Sequence, residues 1–281
     1  MAHDSPAWLL SFQSDTFSQT GEDGVIQKVL DMIGVQDRWC VEFGAWDGMH
    51  LSNTRNLIEN HGYSAVLIEG DRKKYEDLRR NYSSRGSVFP INAYVGFHES
   101  DGLDQILGTT LVPEDFDFLS IDIDGNDYHV WRSVQRYKPK IVCIEFNPTI
   151  HTDIEFVQAA DPNINQGSSL SALMGLGKDK GYELVCVLRF NAIFVRKDFF
   201  ELFEIVDNSP SVLRKDHSHV TYLFSGFDGK IFLRGHNALP WHGISLEESQ
   251  MQRLPSFLRI FPGRYTFLRR VFLKLYRMGK F

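Results

Sequence analysis

The sequence predicts an α/β protein built on a mostly parallel β-sheet that ends in an antiparallel hairpin. Through the first 200 residues, short apolar segments alternate with segments of helical spacing. Strands that are apolar along their whole length are typical of a parallel sheet with helices on both faces. The segments 182–187 and 191–196 are separated by too few residues for a helical crossover, so we expect them to pair antiparallel at one sheet edge.

Composition places the chain among ordinary globular proteins. Of its 281 residues, 43% are hydrophobic and 23% are charged, which excludes wholesale disorder, collagen and coiled coil. No apolar run approaches the roughly 18 residues of a transmembrane helix. The first residues lack the basic segment and cleavage site of a secretory signal, so we expect a cytoplasmic protein. The cysteines Cys40, Cys143 and Cys186 have no CxxC spacing, which argues against a disulfide framework or a zinc site.

The predicted strands are the short apolar runs. In chain order they are 39–43, 65–68, 87–91, 116–123, 140–146, 182–187 and 191–196. The first ends in a glycine-bearing turn and the second in Glu69-Gly70-Asp71. Pro90 has no backbone N–H to donate, which places the third strand near a sheet edge or a strand end.

Helices are predicted between these strands. The segments with helical spacing are 25–33, a short stretch around 57–58, 72–82, 128–134 and 169–180. In the first of them Val25, Val29 and Ile33 fall on one stripe, and Ser52 or Asn53 is expected to cap the second. Residues 201–252 show no clear pattern and form an irregular extension after the predicted domain 1–200.

The first strand leads into the turn Glu42-Phe43-Gly44-Ala45-Trp46-Asp47-Gly48. Glycines at such a turn let the backbone approach a ligand closely. The three-glycine dinucleotide fingerprint is not met, because Trp46 stands where its middle glycine would be. Glu69 follows Gly44 by 25 positions, where an acidic side chain accepts hydrogen bonds from ribose hydroxyls. The alternative is a tight turn with a solvated carboxylate, but the order and spacing together favour a nucleoside site.

Here the sequence resembles a known superfamily. EFGAWDG and the later LIEGD resemble the first two motifs of class I S-adenosylmethionine-dependent methyltransferases, while SIDIDGND and GYELVCVLRFNAIFVRKD resemble their fourth motif and terminal hairpin. Within that superfamily the chain is most similar to FkbM-type enzymes, and SQTGEDG resembles a segment often found ahead of their domain. The resemblance covers about residues 15–200. It implies a Rossmann-like seven-stranded sheet whose last strand is antiparallel, with S-adenosylmethionine as cofactor.

The resemblance also implies roles for single residues. Those of the first turn and the strand ends are Glu42 at the amino acid end of the cofactor, Gly44, Ala45 and Gly48 around its methionine moiety, Glu69 on the ribose, and Asn92 and Ala93 against adenine. Upstream, Gln19, Glu22 and Asp23 either close over the cofactor or form a helix N-cap with first-turn acids.

Acidic residues accumulate after the fourth and fifth strands. Alternation would put Asp122 and Asp124 on one face, with Glu145 and Asn147 at the end of the next strand. Carboxylates converging there would repel each other unless a cation lay between them, and oxygen ligands suit Mg²⁺, Mn²⁺ or Ca²⁺. We therefore expect a metal site of Asp122, Asp124 and Glu145. The alternative is that Asp122 binds the amino group of the cofactor while the other acids are solvated.

The predicted reaction is O-methylation of a sugar or glycosylated molecule. Attack by a hydroxyl on a sulfonium methyl requires alkoxide character, which a metal or a general base supplies. Asp124, His129 and His151 are the catalytic candidates, although a lone histidine more often has a structural role. Two other functions remain: a catalytically silent methyltransferase-like binding module, and an NAD-dependent oxidoreductase, which Trp46 and the terminal hairpin disfavour. The acceptor pocket is expected from residues 147–170 and 200–250.

The tail 253–281 is basic and amphipathic. It holds eight basic residues and no acidic one, whereas the whole chain has a net charge of −6. An acidic body of this kind excludes a general nucleic-acid binder. On a helix from Arg264, Leu268, Val271, Phe272 and Leu275 share a stripe flanked by basic side chains. The tail is expected either to lie on an anionic membrane surface or to dock on the acidic body or on a second subunit of a homo-oligomer.

Overall fold

The computed structural model describes residues 5–34 and 37–279, which divide into two units between Asp216 and His217. The first unit contains one seven-stranded sheet. Its strands are β1 (Trp39–Phe43), β2 (Ser64–Glu69), β3 (Val88–Asn92), β4 (Phe118–Ile121), β5 (Ile141–Glu145), β6 (Tyr182–Val187) and β7 (Asn191–Arg196).

Helices connect these strands. They are α1 (Glu22–Ile33), α2 (Arg55–Asn60), α3 (Arg72–Asn81), α4 (Leu103–Leu107), α5 (Asp127–Ser133), α6 (Leu170–Asp179) and α7 (Pro210–Leu213), with 3₁₀ turns at Trp8–Phe12 and Lys197–Phe203.

The sheet confirms the predicted fold class, an α/β architecture with a seven-stranded, mostly parallel sheet and an antiparallel terminal hairpin. Its strand order is β3-β2-β1-β4-β5-β7-β6. β1 to β5 pair in parallel, whereas β7 runs antiparallel to both β5 and β6, so the terminal hairpin is antiparallel as predicted. β3 is one of the two edge strands, where the absent N–H of Pro90 leaves no ladder position empty.

Two local predictions are wrong in detail. The helix expected after Ser52 or Asn53 begins at Arg55 with Thr54 as its N-cap residue, and the Ser52 hydroxyl accepts the Arg55 N–H at 3.2 Å. β4 ends at Ile121 rather than at residue 123. The strand ends early because the Asp127 carboxylate accepts the N–H groups of Ile123 and Gly125.

Both faces of the sheet are covered, as a parallel sheet requires. Val41, Leu67, Leu119 and Val142 in the central strands are fully buried, and helices pack over them with apolar faces. The three cysteines are buried free thiols of this core.

The second unit is built from short elements. They are the hairpin β8 (Thr221–Ser225) and β9 (Ile231–Gly235), the pair β10 (Ala238–Leu239) and β11 (Ile244–Ser245), α8 (Glu248–Met251) and α9 (Phe267–Arg277), with 3₁₀ turns at Ser256–Leu258 and Pro262–Arg264. Among residues 5–34 and 37–279, no helix has the length and apolarity needed to cross a bilayer.

Candidate functional site

The candidate site lies at the carboxyl ends of the parallel strands, where the strand order reverses. β2 and β3 lie on one side of β1, and the chain then returns to place β4 on the other side of β1. In register, Phe43 of β1 lies between Ile68 of β2 and Ile121 of β4, so the residues that follow these strands meet at one edge. Such a reversal leaves a crevice that binds ligands in open α/β sheets.

The turn after β1 presses directly against the end of β4. Gly44 has φ +73°, and a Cβ atom there would lie 1.9 Å from the Asp122 carbonyl oxygen. No side chain fits at that distance, so the close approach requires glycine. Gly48 has φ +70°, and a Cβ there would meet Leu78 and Tyr82 at 2.6 Å. The buried Ala45 donates its N–H to the Ile68 carbonyl at 3.1 Å, which ties the turn to β2 as well.

Trp46 turns its backbone, not its ring, toward Glu69. Its N–H donates to Glu69 Oε2 at 2.8 Å, while the indole is 49% exposed and lies 3.7 Å from the Lys74 ammonium. The residue has φ +51°, a left-handed conformation that non-glycine residues seldom adopt. The tryptophan thus takes the place of a glycine without pointing its bulk at the carboxylate beneath it.

Glu69 is the buried acid at the end of β2. It is 7% exposed, and its Oε1 accepts the Asp71 N–H at 2.7 Å. The Asn92 side-chain amide donates to the Glu69 carbonyl at 2.8 Å, and the Ala93 N–H donates to the same oxygen at 3.2 Å. The structure therefore brings Glu69, Asn92 and Ala93 together at one corner. The exposed ring of Tyr94, which no sequence pattern singles out, lies so close to Gly70 that a Cβ there would be 2.3 Å from it.

Glu42 is buried at the end of β1 and organises the start of α2. Its carboxylate accepts the hydroxyls of Ser52 and Thr54 at 2.6 and 2.7 Å and the N–H of Asn53 at 2.9 Å. Burial raises the pKa of Glu42 even though these three donors oppose the shift. Ser52 and Thr54 were missed as partners of Glu42 because they follow it by ten and twelve residues.

The upstream acids hold the loop that precedes α1. Asp23 Oδ2 accepts the backbone N–H groups of residues 16–18 at 2.6–2.9 Å. The fully buried Glu22 accepts the Thr20 N–H at 2.7 Å and the Asn191 amide at 3.1 Å. These contacts are those of first-turn acids. Gln19 is exposed and lines a cavity of about 660 Å³ together with Arg189.

Three carboxylates converge after β4 and β5. Asp122, Asp124 and Glu145 each offer an oxygen within 4.8 Å of the others, and we call them the acidic trio. Strand alternation is not the reason, because β4 ends at Ile121 and Asp124 has φ +58°. The early end has a cause in Asp127, whose side chain accepts the N–H groups of Ile123 and Gly125, both at 2.9 Å, in place of strand partners. Asn147, predicted on the same face as Glu145, lies beyond the end of β5.

The trio is electrostatically unfavourable by itself. Burial raises the pKa of Glu145 well above its usual range, and repulsion from Asp122, Asp127 and Asp124 adds to the shift. Burial also raises the pKa of Asp122 well above its usual range, and repulsion from Asp127, Asp124, Glu42 and Glu22 adds to this shift. For Asp127, burial outweighs three backbone hydrogen bonds and raises the pKa to about 6. A cation between these groups would remove the repulsion.

Asn191 adds an unpartnered acceptor beside the trio. It lies opposite Glu145 in the β5–β7 ladder and is almost fully buried. Its amide nitrogen donates to Glu22, but its Oδ1 has no hydrogen-bond partner among the described residues. A buried acceptor of this kind marks a place where a ligand or a water molecule can bind.

The two histidine candidates differ in their surroundings. His129 is buried, and its Nε2 lies 2.8 Å from the Gln158 carbonyl oxygen, so this nitrogen carries the proton and donates it. Its Nδ1 has no hydrogen-bond partner in the described part of the chain. His151 is partly exposed, and its Nδ1 accepts the Asp153 N–H at 3.2 Å.

The segment 147–168 is tied across this region by side chains that the sequence did not reveal. The buried guanidinium of Arg214 donates to the carbonyls of Pro148 and Ile150 at 2.5 and 2.6 Å. Gln158 Oε1 accepts the N–H groups of residues 166 and 167 at 2.9 and 2.8 Å. Asn165 donates to the Asp124 carbonyl at 3.0 Å, which joins the segment to the trio. Arg214 lies 66 residues from Pro148, and no local pattern signals such a contact.

Comparison with known proteins adds the following. No protein-family model matches the chain, and no curated protein matches it. Among solved structures, the chain is similar to a SAM-dependent methyltransferase from Aquifex aeolicus (12% identity, TM-score 0.39, covering 68% of this chain and 97% of that one). It is also similar to the N-terminal domain of EvdMO1 with SAH bound (10%, TM-score 0.40, 63% and 80%). A third is a precorrin-6y C5,15-methyltransferase from Geobacter metallireducens (17%, TM-score 0.37, 66% and 92%). At these values the likenesses carry no argument about activity.

Proposed function

We propose that this protein is an S-adenosylmethionine-dependent methyltransferase that methylates a hydroxyl of a sugar or glycosylated molecule. The observation that carries the proposal is the close approach of the Gly44 turn to the end of β4, with the buried Glu69 at the end of β2 beside it. A glycine-lined turn next to an acidic strand end is the arrangement that a nucleoside with a charged tail requires.

The residues of this corner fit the cofactor. Each Glu69 oxygen already accepts one backbone N–H and has a second lone pair for a ribose hydroxyl. Asn92 and Ala93, hydrogen-bonded to the end of β2, would flank the adenine, and the exposed Tyr94 ring beside them offers a stacking surface. The turn from Gly44 to Gly48 would enclose the methionine moiety, with Glu42 fixing the loop that follows.

The acidic trio fits a divalent cation. Three carboxylates within 4.8 Å of one another are hard oxygen ligands of the kind that Mg²⁺ or Mn²⁺ prefers. Burial and mutual repulsion raise the pKa values of Asp122 and Glu145, and a cation between them would oppose that shift. When bound, such an ion lowers the pKa of an acceptor hydroxyl and orients a diol.

Methyl transfer forms a bond from the acceptor oxygen to the methyl carbon, breaks the carbon–sulfur bond and releases the hydroxyl proton. Asp124, the most exposed member of the trio, is the residue to which we assign contact with the acceptor. The commitment of His129 Nε2 to the Gln158 carbonyl favours a structural role for that ring. His151, which is partly exposed, is therefore the histidine that we propose as the general base for the hydroxyl proton. The unpartnered Oδ1 of Asn191 is available to a further acceptor hydroxyl.

Calorimetric titration with S-adenosylmethionine tests the proposal. Glu69→Ala should weaken binding by roughly 1–3 kcal/mol, because ribose hydroxyls would lose their buried partner. Glu76→Ala, which removes a carboxylate from the adjacent helix α3, should leave the dissociation constant unchanged. Equal affinities for wild type and Glu69→Ala would contradict the assignment.

The same sample separates the alternatives. An NAD-dependent enzyme would bind NAD and not S-adenosylmethionine. A silent binding module would bind S-adenosylmethionine but form no S-adenosylhomocysteine when incubated with a panel of sugars and glycosides.

A further inference from the structure

The second unit carries an excess of positive charge. Ten of the 30 basic residues and three of the 36 acidic ones follow Asp216, which gives this unit a formal charge of +7 and the first unit −13. The last acidic residue is Glu248, so α9 and the turns before it contain only basic charges. A surface of this kind attracts an anionic partner.

The helix α9 leaves its apolar side uncovered. None of its 11 residues is buried, and Phe267 and Leu268 are 79% and 67% exposed. At 3.6 residues per turn, its outward apolar side chains span an arc of about 140°. They are Phe267, Leu268, Val271, Phe272 and Leu275. The basic residues Arg269, Arg270, Lys274 and Arg277 lie outside this arc, where they share the remaining surface of the helix with Leu273 and Tyr276.

A second, separate feature of this unit is also apolar and exposed. The hairpin of β8 and β9 turns at residues 226–229, and Phe227 at its tip is 92% exposed. Lys230 follows this turn, and the side chains of Leu223 and Phe224 in β8 are exposed as well. Asp228 and Gly229 separate Phe227 from Lys230, so the tip adds an exposed apolar side chain to those of α9 rather than a basic one.

We infer that the second unit docks on an anionic lipid surface, with α9 lying in the headgroup layer and Phe227 inserted beside it. Such a surface has negative phosphates above an apolar layer. The basic side chains of α9 would bind the phosphates, and its apolar arc would contact the apolar layer. Long arginine and lysine side chains reach from a shallowly buried helix back to the headgroups. The charge of +7 supplies complementarity to this partner and not to a neutral one.

Vesicle flotation of the full-length protein tests this inference. Wild type should float with vesicles of phosphatidylcholine containing about 30% phosphatidylserine, and binding to pure phosphatidylcholine should be at least tenfold weaker. Each basic residue near the surface contributes about fivefold, so Arg270→Gln/Lys274→Gln should lower binding to the anionic vesicles roughly 25-fold. Raising the salt concentration from 0.1 to 0.5 M should also release the protein.

Apolar variants separate insertion from simple charge attraction. Leu268→Glu and Phe227→Ser should each lower the bound fraction severalfold. Val206→Glu makes the same kind of change at a 99% exposed position of the first unit and should bind as wild type does. Circular dichroism melts would check that every variant is folded.

Two results would overturn the inference. One is failure of the wild type to float with anionic vesicles at low salt. The other is unchanged binding by Leu268→Glu and Phe227→Ser. If light scattering then shows a wild-type dimer that Leu268→Glu converts to a monomer, the apolar arc covers a second copy of the chain instead.

Discussion

Trp46 combines a bulky side chain with a left-handed backbone conformation that is typical of glycine. Its left-handed backbone lets the N–H reach Glu69 while the ring lies outside against Lys74. The backbone N–H is therefore used inside the protein, as a donor to the Glu69 carboxylate. The cost of the left-handed conformation is offset by the hydrogen bond and by the cation–π contact, which contribute about 1 kcal/mol each.

The acidic trio yields a metal prediction at the residue scale. Protein stripped with EDTA should bind Mn²⁺, as followed by calorimetry. Asp124→Asn and Glu145→Gln should each weaken that binding at least tenfold, because each removes one charged ligand. The affinity for S-adenosylmethionine should change less than twofold in Asp124→Asn. Asp77→Asn, the same chemical change on α3, serves as the control. No Mn²⁺ binding by the wild type would remove the metal from the proposed mechanism.

The raised pKa values predict how stability changes with pH. Asp127 has a pKa of about 6 in the folded protein, against 3.8 for an ordinary aspartate, so the folded state holds its proton longer. Its contribution to stability is therefore present below about pH 4 and is lost as the pH rises through 6, amounting to about 3 kcal/mol. In EDTA, urea unfolding should show wild type losing more stability between pH 4.5 and 7.5 than Asp127→Asn does. Parallel curves for the two proteins would contradict this.

Added Mn²⁺ should reverse the trend, because a metal needs its carboxylates ionised. The stabilisation by Mn²⁺ should then grow from pH 5 to pH 7.5. Stabilisation that is independent of pH would indicate binding somewhere other than the trio.

At the scale of elements, the segment 147–168 depends on a residue outside it. Arg214→Met would leave the carbonyls of Pro148 and Ile150 unpaired in a buried position, at a cost of roughly 2–4 kcal/mol. We expect faster proteolysis within 147–168 and a lower melting temperature, with the affinity for S-adenosylmethionine changed less than threefold. Arg189→Met changes an exposed arginine in the same way and should have neither effect. Unaltered proteolysis of Arg214→Met would show that other contacts hold the segment.

The sequence was most informative about elements and least about what ends them. Six of the seven sheet strands were predicted to within a residue or so at each end, since continuous apolar runs require burial on both faces. The predicted β4 is too long because Ile123 continues the apolar run, whereas the Asp127 carboxylate accepts the N–H groups of Ile123 and Gly125 and so ends the strand. The sequence signal for this end is Asp127, two positions after Gly125 and at the start of the helix, because an aspartate there favours a turn over a continued strand.

The convergence of the acidic trio was therefore predicted for a wrong reason. Asp124 reaches Asp122 through a left-handed turn and not through alternation along a strand. The roles assigned to Gln19, Glu42, Glu69 and the trio remain predictions, because geometry brings groups together without identifying a ligand.

At the scale of the whole molecule, the division after Asp216 was not readable from the sequence. The strands of the second unit are short, and the sequences of β8 (TYLFS) and β9 (IFLRG) lack the strict alternation of apolar and polar residues that marks a half-buried strand. The strand order was not predicted, since pairing between β1 and β4 joins distant residues that no local pattern connects.

The division predicts that the first unit is sufficient for cofactor binding. A chain ending at Asp216 should unfold cooperatively and bind S-adenosylmethionine within twofold of the full-length affinity, because every residue of the proposed cofactor site precedes that point. Calorimetry and thermal melts would measure both. Loss of binding by a folded fragment would mean that the second unit contributes to the site.

The strand order also sets a sequence of events during synthesis of the chain. β1 pairs with β4 through Cys40 and Phe118, which lie 78 positions apart, and β7 must enter between β5 and β6 near the end of the sheet. The half formed by β1, β2 and β3 leaves the ribosome first, but contacts of such long range form slowly. The cradle between Gly44 and Asp122 cannot exist until both halves have joined. A nascent chain therefore exposes the edge of β1 until β4 arrives, and that interval is when the protein is most open to chaperones and to misassembly.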